Sequence, residues 1–234
     1  MTEQRPRAST ETVYALMRGD VLAGVYPPGS RLKFMPLCER YGASVSVIRE
    51  ALSRLCEQGL VESEPRIGFR VRAVSVADLR DLTATRIDVE VMALRQAIER
   101  GGVDWESAIV AAHHRLERTP LLTVDEPLRV SDDWEEAHSQ FHSTLLDGCA
   151  SEWMLGITRT LRDAAEFYRR WSQLHEPSRD VAAEHRAIVD ATIARDADTA
   201  AAQLRKHYQC TADIVERALT PLTSERSKTH RAAP

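Results

Sequence analysis

From Asp78 to Leu219 the apolar residues recur every three or four positions and nowhere alternate, a period that restricts most of the chain to packed α-helices. The spacing predicts helices over residues 78–100, 105–118, 132–149, 152–174, 178–195 and 199–219, separated by short breaks containing Gly, Pro or Asp. With no strand pattern beside them, such helices can bury their apolar stripes only against one another, so residues 77–220 are expected to form an antiparallel α-helical bundle. The last stretch, 221–234, is polar and aperiodic and is expected to be a disordered tail.

The first 76 residues follow a different rhythm. Val13, Leu16, Met17 and Val21 share one face of a helix expected over Thr10–Ala23, and "GVYPPGSRL" ends it with two prolines and two glycines. A short helix follows at Met35–Tyr41. Gly42 closes it, and Ser44 is placed to cap a third helix, Val45–Gln58, whose Ile48, Ala51, Leu52 and Leu55 form one stripe. "LVESEP" and "FRVRAV" then alternate as two strands around a turn at Pro65–Gly68. Three helices and a hairpin in this order are the plan of a winged helix-turn-helix, which places its third helix in the major groove of double-stranded DNA. The fold class is therefore mainly α: a winged helix-turn-helix over 1–76 and a helical bundle over 77–220.

Charge agrees with that division. Residues 1–76 hold 11 Lys/Arg against 8 Asp/Glu, whereas 77–234 hold 20 against 27, so the halves meet different partners. The candidate DNA contacts are Ser44, Ser46 and Arg49 on the third helix, Arg66 near the hairpin tip, and Lys33 before the second helix. Arg49 suits either a bidentate contact with guanine or a phosphate. Helix-turn-helix proteins read paired half-sites as dimers, so a homodimer on a palindromic operator is expected.

The sequences "GVYPPGSRL", "LCERYGASVSVIREALSRLCEQGLVE" and "GFRV" resemble the DNA-binding domain of GntR-type bacterial transcription regulators across nearly all of residues 10–74. The chain departs from the usual Ser-Arg at the start of the recognition helix, where Ser44-Val45 stands, and from a common proline at Val47. One customary DNA-contacting arginine is thus absent. The resemblance implies a transcription regulator, most often a repressor, with an operator of its own.

In the bundle, "HSQFH" sets His138 and His142 four residues apart within the apolar stripe of Trp134, Ala137, Phe141 and Leu145, so both imidazoles face inward. His185 and His207 also lie on apolar faces, each 11 residues from Asp196 at the break between the last two helices. An antiparallel hairpin brings those two to one height. Four inward histidines are either separately hydrogen-bonded core residues or the ligands of one divalent metal ion, since neutral imidazole binds Zn, Ni, Cu or Fe. "HSQFHSTLL" and "EHRAIVDATIARDADTAAAQLRKH" resemble the FCD ligand domain of the FadR branch of GntR regulators. That resemblance implies metal ligation by His142, His185 and His207, with His138 where an aspartate commonly stands. Replacing carboxylate by imidazole softens the site toward Zn or Ni. "TRIDVEVMALRQAI" is similar to the first helix of that domain, which implies that Arg86 pairs with the carboxylate of a small effector.

The competing class is a metal-dependent hydrolase on the bundle. Against it, Ser139 stands where an HExxH site carries its general-base glutamate, and only one ExxH, Glu135 to His138, is present where a di-iron bundle needs two. Arg162, Arg169 and Arg170 could line a pocket but read as solvated surface, and Trp134, Trp153 and Trp171 read as packing. Cys38, Cys56, Cys149 and Cys210 form no CxxC, and no 18-residue apolar run or leader-like segment is evident, so a cytoplasmic protein is expected.

Overall fold

The computed structural model describes residues 9–230 apart from 23, 67, 74, 125–128 and 177. The chain divides into two compact units, Met1–Val74 and Ser75–Pro234.

The first unit contains α1 (Thr10–Leu22), β1 (Arg31–Leu32), α2 (Phe34–Tyr41), α3 (Val45–Glu57), β2 (Val61–Glu64) and β3 (Gly68–Val71). Gly42 ends α2 at a φ of 61°, a left-handed conformation that a side chain would strain. Two residues later Ser44 caps α3 by accepting from the Val47 amide. Val13, Met17 and Val21 of α1 and Ile48, Leu52 and Leu55 of α3 are buried, and α1 packs on α3, whereas Leu16, expected on the same face, lies at its edge and is exposed. β3 alternates inward Phe69 and Val71 with outward residues and pairs antiparallel with β2, Val61 opposite Val71.

The sheet has a third strand that the sequence did not announce. β1 pairs with β3 through Arg31 opposite Arg70 and Leu32 opposite Phe69, giving the order β1-β3-β2. Two residues cannot display an alternating period. The prolines and glycines before them signal only the turn that precedes the strand.

The second unit is built from α4 (Val76–Arg100), α5 (Val103–Arg118), α6 (Asp132–Asp147), α7 (Glu152–His175), α8 (Val181–Ile193) and α9 (Ala197–His230). Ser75, Ser131, Ser151 and Asp180 cap α4, α6, α7 and α8, each accepting a backbone N–H with its side-chain oxygen. Leu94, Ile109, Phe141, Leu145, Ile188 and Leu204 form its apolar centre. Where α4 turns into α5, a Cβ on Gly101 would lie 2.2 Å from the Trp105 ring, so only glycine lets Trp105 fold back and donate to the Thr144 carbonyl.

The tail expectation needs correction over 221–230: α9 runs to His230, and residues 231–234 lie outside the described residues. Absence of an apolar period removes a reason to pack, not the capacity to be helical. Beyond Pro221, which lacks one N–H, the run "LTSERSKTH" holds no helix breaker.

Candidate functional site

In the first unit the predicted DNA contacts are all exposed. Ser46 and Arg49 lie on the outer side of α3, opposite the buried Ile48–Leu52 stripe, and Lys33 precedes α2. Ser44 divides its hydroxyl between the helix cap and Ser46 Oγ at 2.9 Å, so its first role is to start the recognition helix. Arg49 does not wave freely: its guanidinium lies over the Phe34 ring, 4.8 Å from the centroid, and Phe34 meets Phe69 edge-on. Phe34 thus links the recognition helix to the wing, a role no single-helix pattern reveals. Arg66 occupies the wing turn at a φ of 66°.

In the second unit His138, His142, His185 and His207 are buried and converge, each offering one nitrogen within 4.8 Å of the others. Two bonds of about 2.0–2.1 Å to one ion span about 4.2 Å, so one ion meets the set with small side-chain adjustments. The rings of His138 and His142 lie 4.5 Å apart and those of His185 and His207 4.8 Å apart. Equal spacing from the α8–α9 turn does bring the last pair level.

The hydrogen bonds show which nitrogens remain uncommitted. Tyr208 donates its hydroxyl to Glu90 at 2.5 Å, so it accepts from His142 Nδ1 at 3.2 Å, and His142 Nε2 is left buried without a partner among the described residues. His207 Nδ1 donates to Glu184 at 2.7 Å, which directs its Nε2 lone pair away from that carboxylate. His138 Nδ1 and His185 Nε2 also lack partners among the described residues. Buried polar atoms are nearly always satisfied, so three orphaned nitrogens in one cluster match an ion-binding site rather than separately bonded core histidines. Burial, reinforced by the neighbouring imidazoles, pushes His138, His142 and His185 well below the ordinary imidazole value. They are held neutral, the form that ligates.

The carboxylate behind His207 is itself positioned. Burial would raise Glu184, but hydrogen bonds from Arg179 and His207 hold it at about 2. Arg179 also donates to the His207 carbonyl and Thr211. Such outer partners fix ring orientation and raise ligand basicity. Glu184 precedes His185 in sequence yet serves His207, and Tyr208 follows His207 yet serves His142. Consecutive helical residues point about 100° apart, so the neighbour of a ligand faces a different helix. Pattern matching on the histidines had no means to find either.

Three arginines correct the reading of α7 as a solvated face: Arg162, Arg169 and Arg170 are all buried. Arg169 pairs with Glu135, and Arg170 with Asp132 and Glu166. Arg86, the expected effector contact, is buried too, bound to Glu90 at 2.9 Å and lying 4.1 Å from the Tyr208 ring centroid. Trp134 packs as expected, stacked on His138, whereas Trp153 is 88% exposed; the side chain of Trp171 lies outside what the structure describes. His113 is buried against Phe141 and stays outside the ligand group.

A winged helix-turn-helix unit followed by a helical bundle with a buried histidine cluster is the build of a one-chain transcription regulator. Bacterial regulatory proteins of the gntR family match residues 9–71, and the FCD domain family matches residues 81–209. The chain is 37% identical over 210 residues to the uncharacterized HTH-type transcriptional regulator BphR of Paraburkholderia xenovorans (strain LB400), covering 89% of this chain and 86% of that one. It is 31% identical over 211 residues to the HTH-type transcriptional repressor GlaR of Escherichia coli (strain K12), covering 88% and 95%. Among solved structures, E. coli McbR/YncC superposes with a TM-score of 0.64 at 18% identity, over 92% of this chain and all of that one, a likeness of fold. The protein belongs to the GntR family of bacterial regulators and carries an FCD domain. These relatives are transcription regulators, so the hydrolase alternative has no support.

Proposed function

We propose that the protein is a cytoplasmic repressor that binds a palindromic operator as a homodimer. A small carboxylate, bound at a divalent metal ion in the helical domain, modulates that binding. The observation that carries this reading is the convergence of four buried histidines in the helical unit, three of them with a nitrogen that has no hydrogen-bond partner among the described residues. His138, His142, His185 and His207 would hold the ion, and an all-imidazole set favours Zn or Ni. When bound, the ion supplies Lewis-acidic positions for carboxylate oxygens. Arg86 contributes positive charge beside them, shared with Glu90. Repression is the role named for GlaR and for the 25% identical RspR of Escherichia coli.

On the DNA side, Arg49 is the base-reading residue, Ser46 its neighbour, Lys33 and Arg66 backbone contacts, and Ser44 the cap. Trp153 and Ile157, exposed one helical turn apart on α7, supply an apolar face for a second copy. The test is an operator titration of zinc-loaded protein, with the operator recovered from genomic fragments the protein retains. Adding the effector acid is expected to shift operator affinity about 5–150-fold, a coupling of about 1–3 kcal/mol, and chelation is expected to abolish the shift. An acid effect that survives chelation, or that His185→Ala leaves intact, would overturn the metal-based reading.

A further inference from the structure

Three arginines of the winged-helix unit lie against aromatic rings, and one of them differs in what else it touches. Arg40 is 5.7 Å from the Tyr41 ring centroid and also binds Asp20, and Arg54 is 3.8 Å from the Tyr14 centroid and also binds Glu11. Arg49 is 4.8 Å from the Phe34 centroid, and its side chain makes no ion pair and no hydrogen bond among the described residues. Within the protein, the ring alone holds it.

The kind of contact decides what the arginine can still do. A carboxylate holds a guanidinium by accepting from its N–H donors and cancels its charge, removing both properties that DNA recognition uses. An aromatic face attracts the same group through the ring quadrupole and leaves the donors and the charge in place. Arg40 and Arg54 are thus tied into the fold. Arg49 is restrained in direction and keeps its donors for a ligand.

The platform is itself fixed. Phe34 opens α2, a position where helix formation calls for no ring, and the side chain of Lys33 before it caps nothing. The Phe34 ring is half-buried and meets Phe69 at 6.0 Å with the ring planes 89° apart, the edge-on geometry that aromatic pairs prefer. Phe69 is buried on β3 between Leu32 of β1 and Ser63 of β2, three residues after Arg66 in the wing turn. The sheet therefore holds the ring, and the ring holds the arginine of the recognition helix.

We infer that Phe34 is a positioning residue for sequence recognition: its ring aims the Arg49 guanidinium at one base and sharpens discrimination between operators without a DNA contact of its own. An arginine already restrained loses less rotamer freedom when it meets its base. A phosphate can be met from many directions, whereas the two acceptors of guanine demand one, so the benefit falls on specific binding. The inference rests on the proposed base-reading role of Arg49 and adds the group that directs it.

The experiment titrates full-length protein, by fluorescence anisotropy at fixed salt, with the operator, with operators carrying single base changes and with random duplex of the same length. The proteins compared are wild type, Phe34→Leu, Phe34→Tyr, Arg49→Ala and the double variant. Phe34→Leu keeps an apolar side chain and loses the aromatic face, so it is expected to weaken operator binding about two- to fivefold, the range of an exposed cation–π contact. Random duplex is bound as by wild type. The loss is expected at the same base position where Arg49→Ala loses discrimination, with the salt slope unchanged because no charge is removed, and Phe34→Tyr restores binding. In the Arg49→Ala background Phe34→Leu is expected to cause no further loss.

Operator affinity of Phe34→Leu equal to wild type, an equal loss on random duplex, or an equal loss in the Arg49→Ala background would overturn the inference while Arg49 stays the base reader. Wild-type discrimination in Arg49→Ala would overturn the base-reading assignment itself. Damage to folding would weaken binding alike in both backgrounds, so the comparison between them separates positioning from a merely structural role even if Phe34→Leu melts below wild type.

Discussion

The two units of this regulator place their polar groups in opposite ways. Among the described residues the winged-helix unit buries a single charged side chain, Asp20, and leaves Lys33, Ser46, Arg49 and Arg66 outside. The helical unit buries Arg86, Arg162, Arg169 and Arg170, Glu90 and Glu135, and five histidines. A surface that binds a polyanion in water needs only to display its charges, because the ligand's own counter-ions are displaced into solvent. A site that encloses a small acid must hold its charges ready in a poorly solvated interior, where each unpaired one is destabilising. The first unit can thus keep an apolar core. The second offsets its charged core with a web of ion pairs and, in the reading proposed above, with a metal ion and its ligand.

The contrast breaks most readily at the buried ion pairs. Arg169→Met leaves Glu135 a buried carboxylate without its partner, and a loss of about 3–5 kcal/mol in unfolding free energy of the helical unit is expected from denaturant titration. Adding Glu135→Leu is expected to restore most of it, since an apolar pair of similar volume tolerates the same space. If the double variant is no more stable than the single one, the pair is holding the fold rather than the site. Next in size is metal removal. With zinc at about 100 times its dissociation constant, chelation is expected to lower stability by about 2.7 kcal/mol, seen as a fall in Tm that His142→Ala no longer shows. An equal chelator response in that variant would place the ion elsewhere.

The outward-facing unit is expected to answer in binding and not in stability. Arg49→Ala should cost about 1–3 kcal/mol in operator affinity while the melting curve stays where it was. A parallel loss of stability would mean that stacking on Phe34, rather than base reading, is the arginine's main role. The smallest effect belongs to Arg66→Ala, which should weaken binding to specific and random DNA alike and lower the salt slope by about one. A slope identical to wild type would remove the wing tip from the interface.

Local spacing was enough to place the helices of both units and the hairpin, because helix periods, capping serines and the glycine at 42 are properties of neighbouring residues. It was also enough to nominate the four histidines: each declared itself by sharing a stripe with Phe141, Ile188 or Leu204, and the α8–α9 pair by equal distance from its turn. β1 escaped because two residues have no period. The burial of Arg162, Arg169 and Arg170 escaped because a charged side chain on an amphipathic helix is ordinarily outside, and only the packing of α7 on α4 and α9 turned that stripe inward. The sequence by itself determined which residues could be ligands, since lone pairs and charges are carried by residue type. The tertiary structure alone decided which nitrogens are left unpaired among the described residues, that Glu184 and Tyr208 orient histidines other than their sequence neighbours, and that Arg162 is buried with Nε and Nη1 unpartnered among those residues. Those outcomes depend on which helix faces which, and adjacent residues on a helix point to different helices.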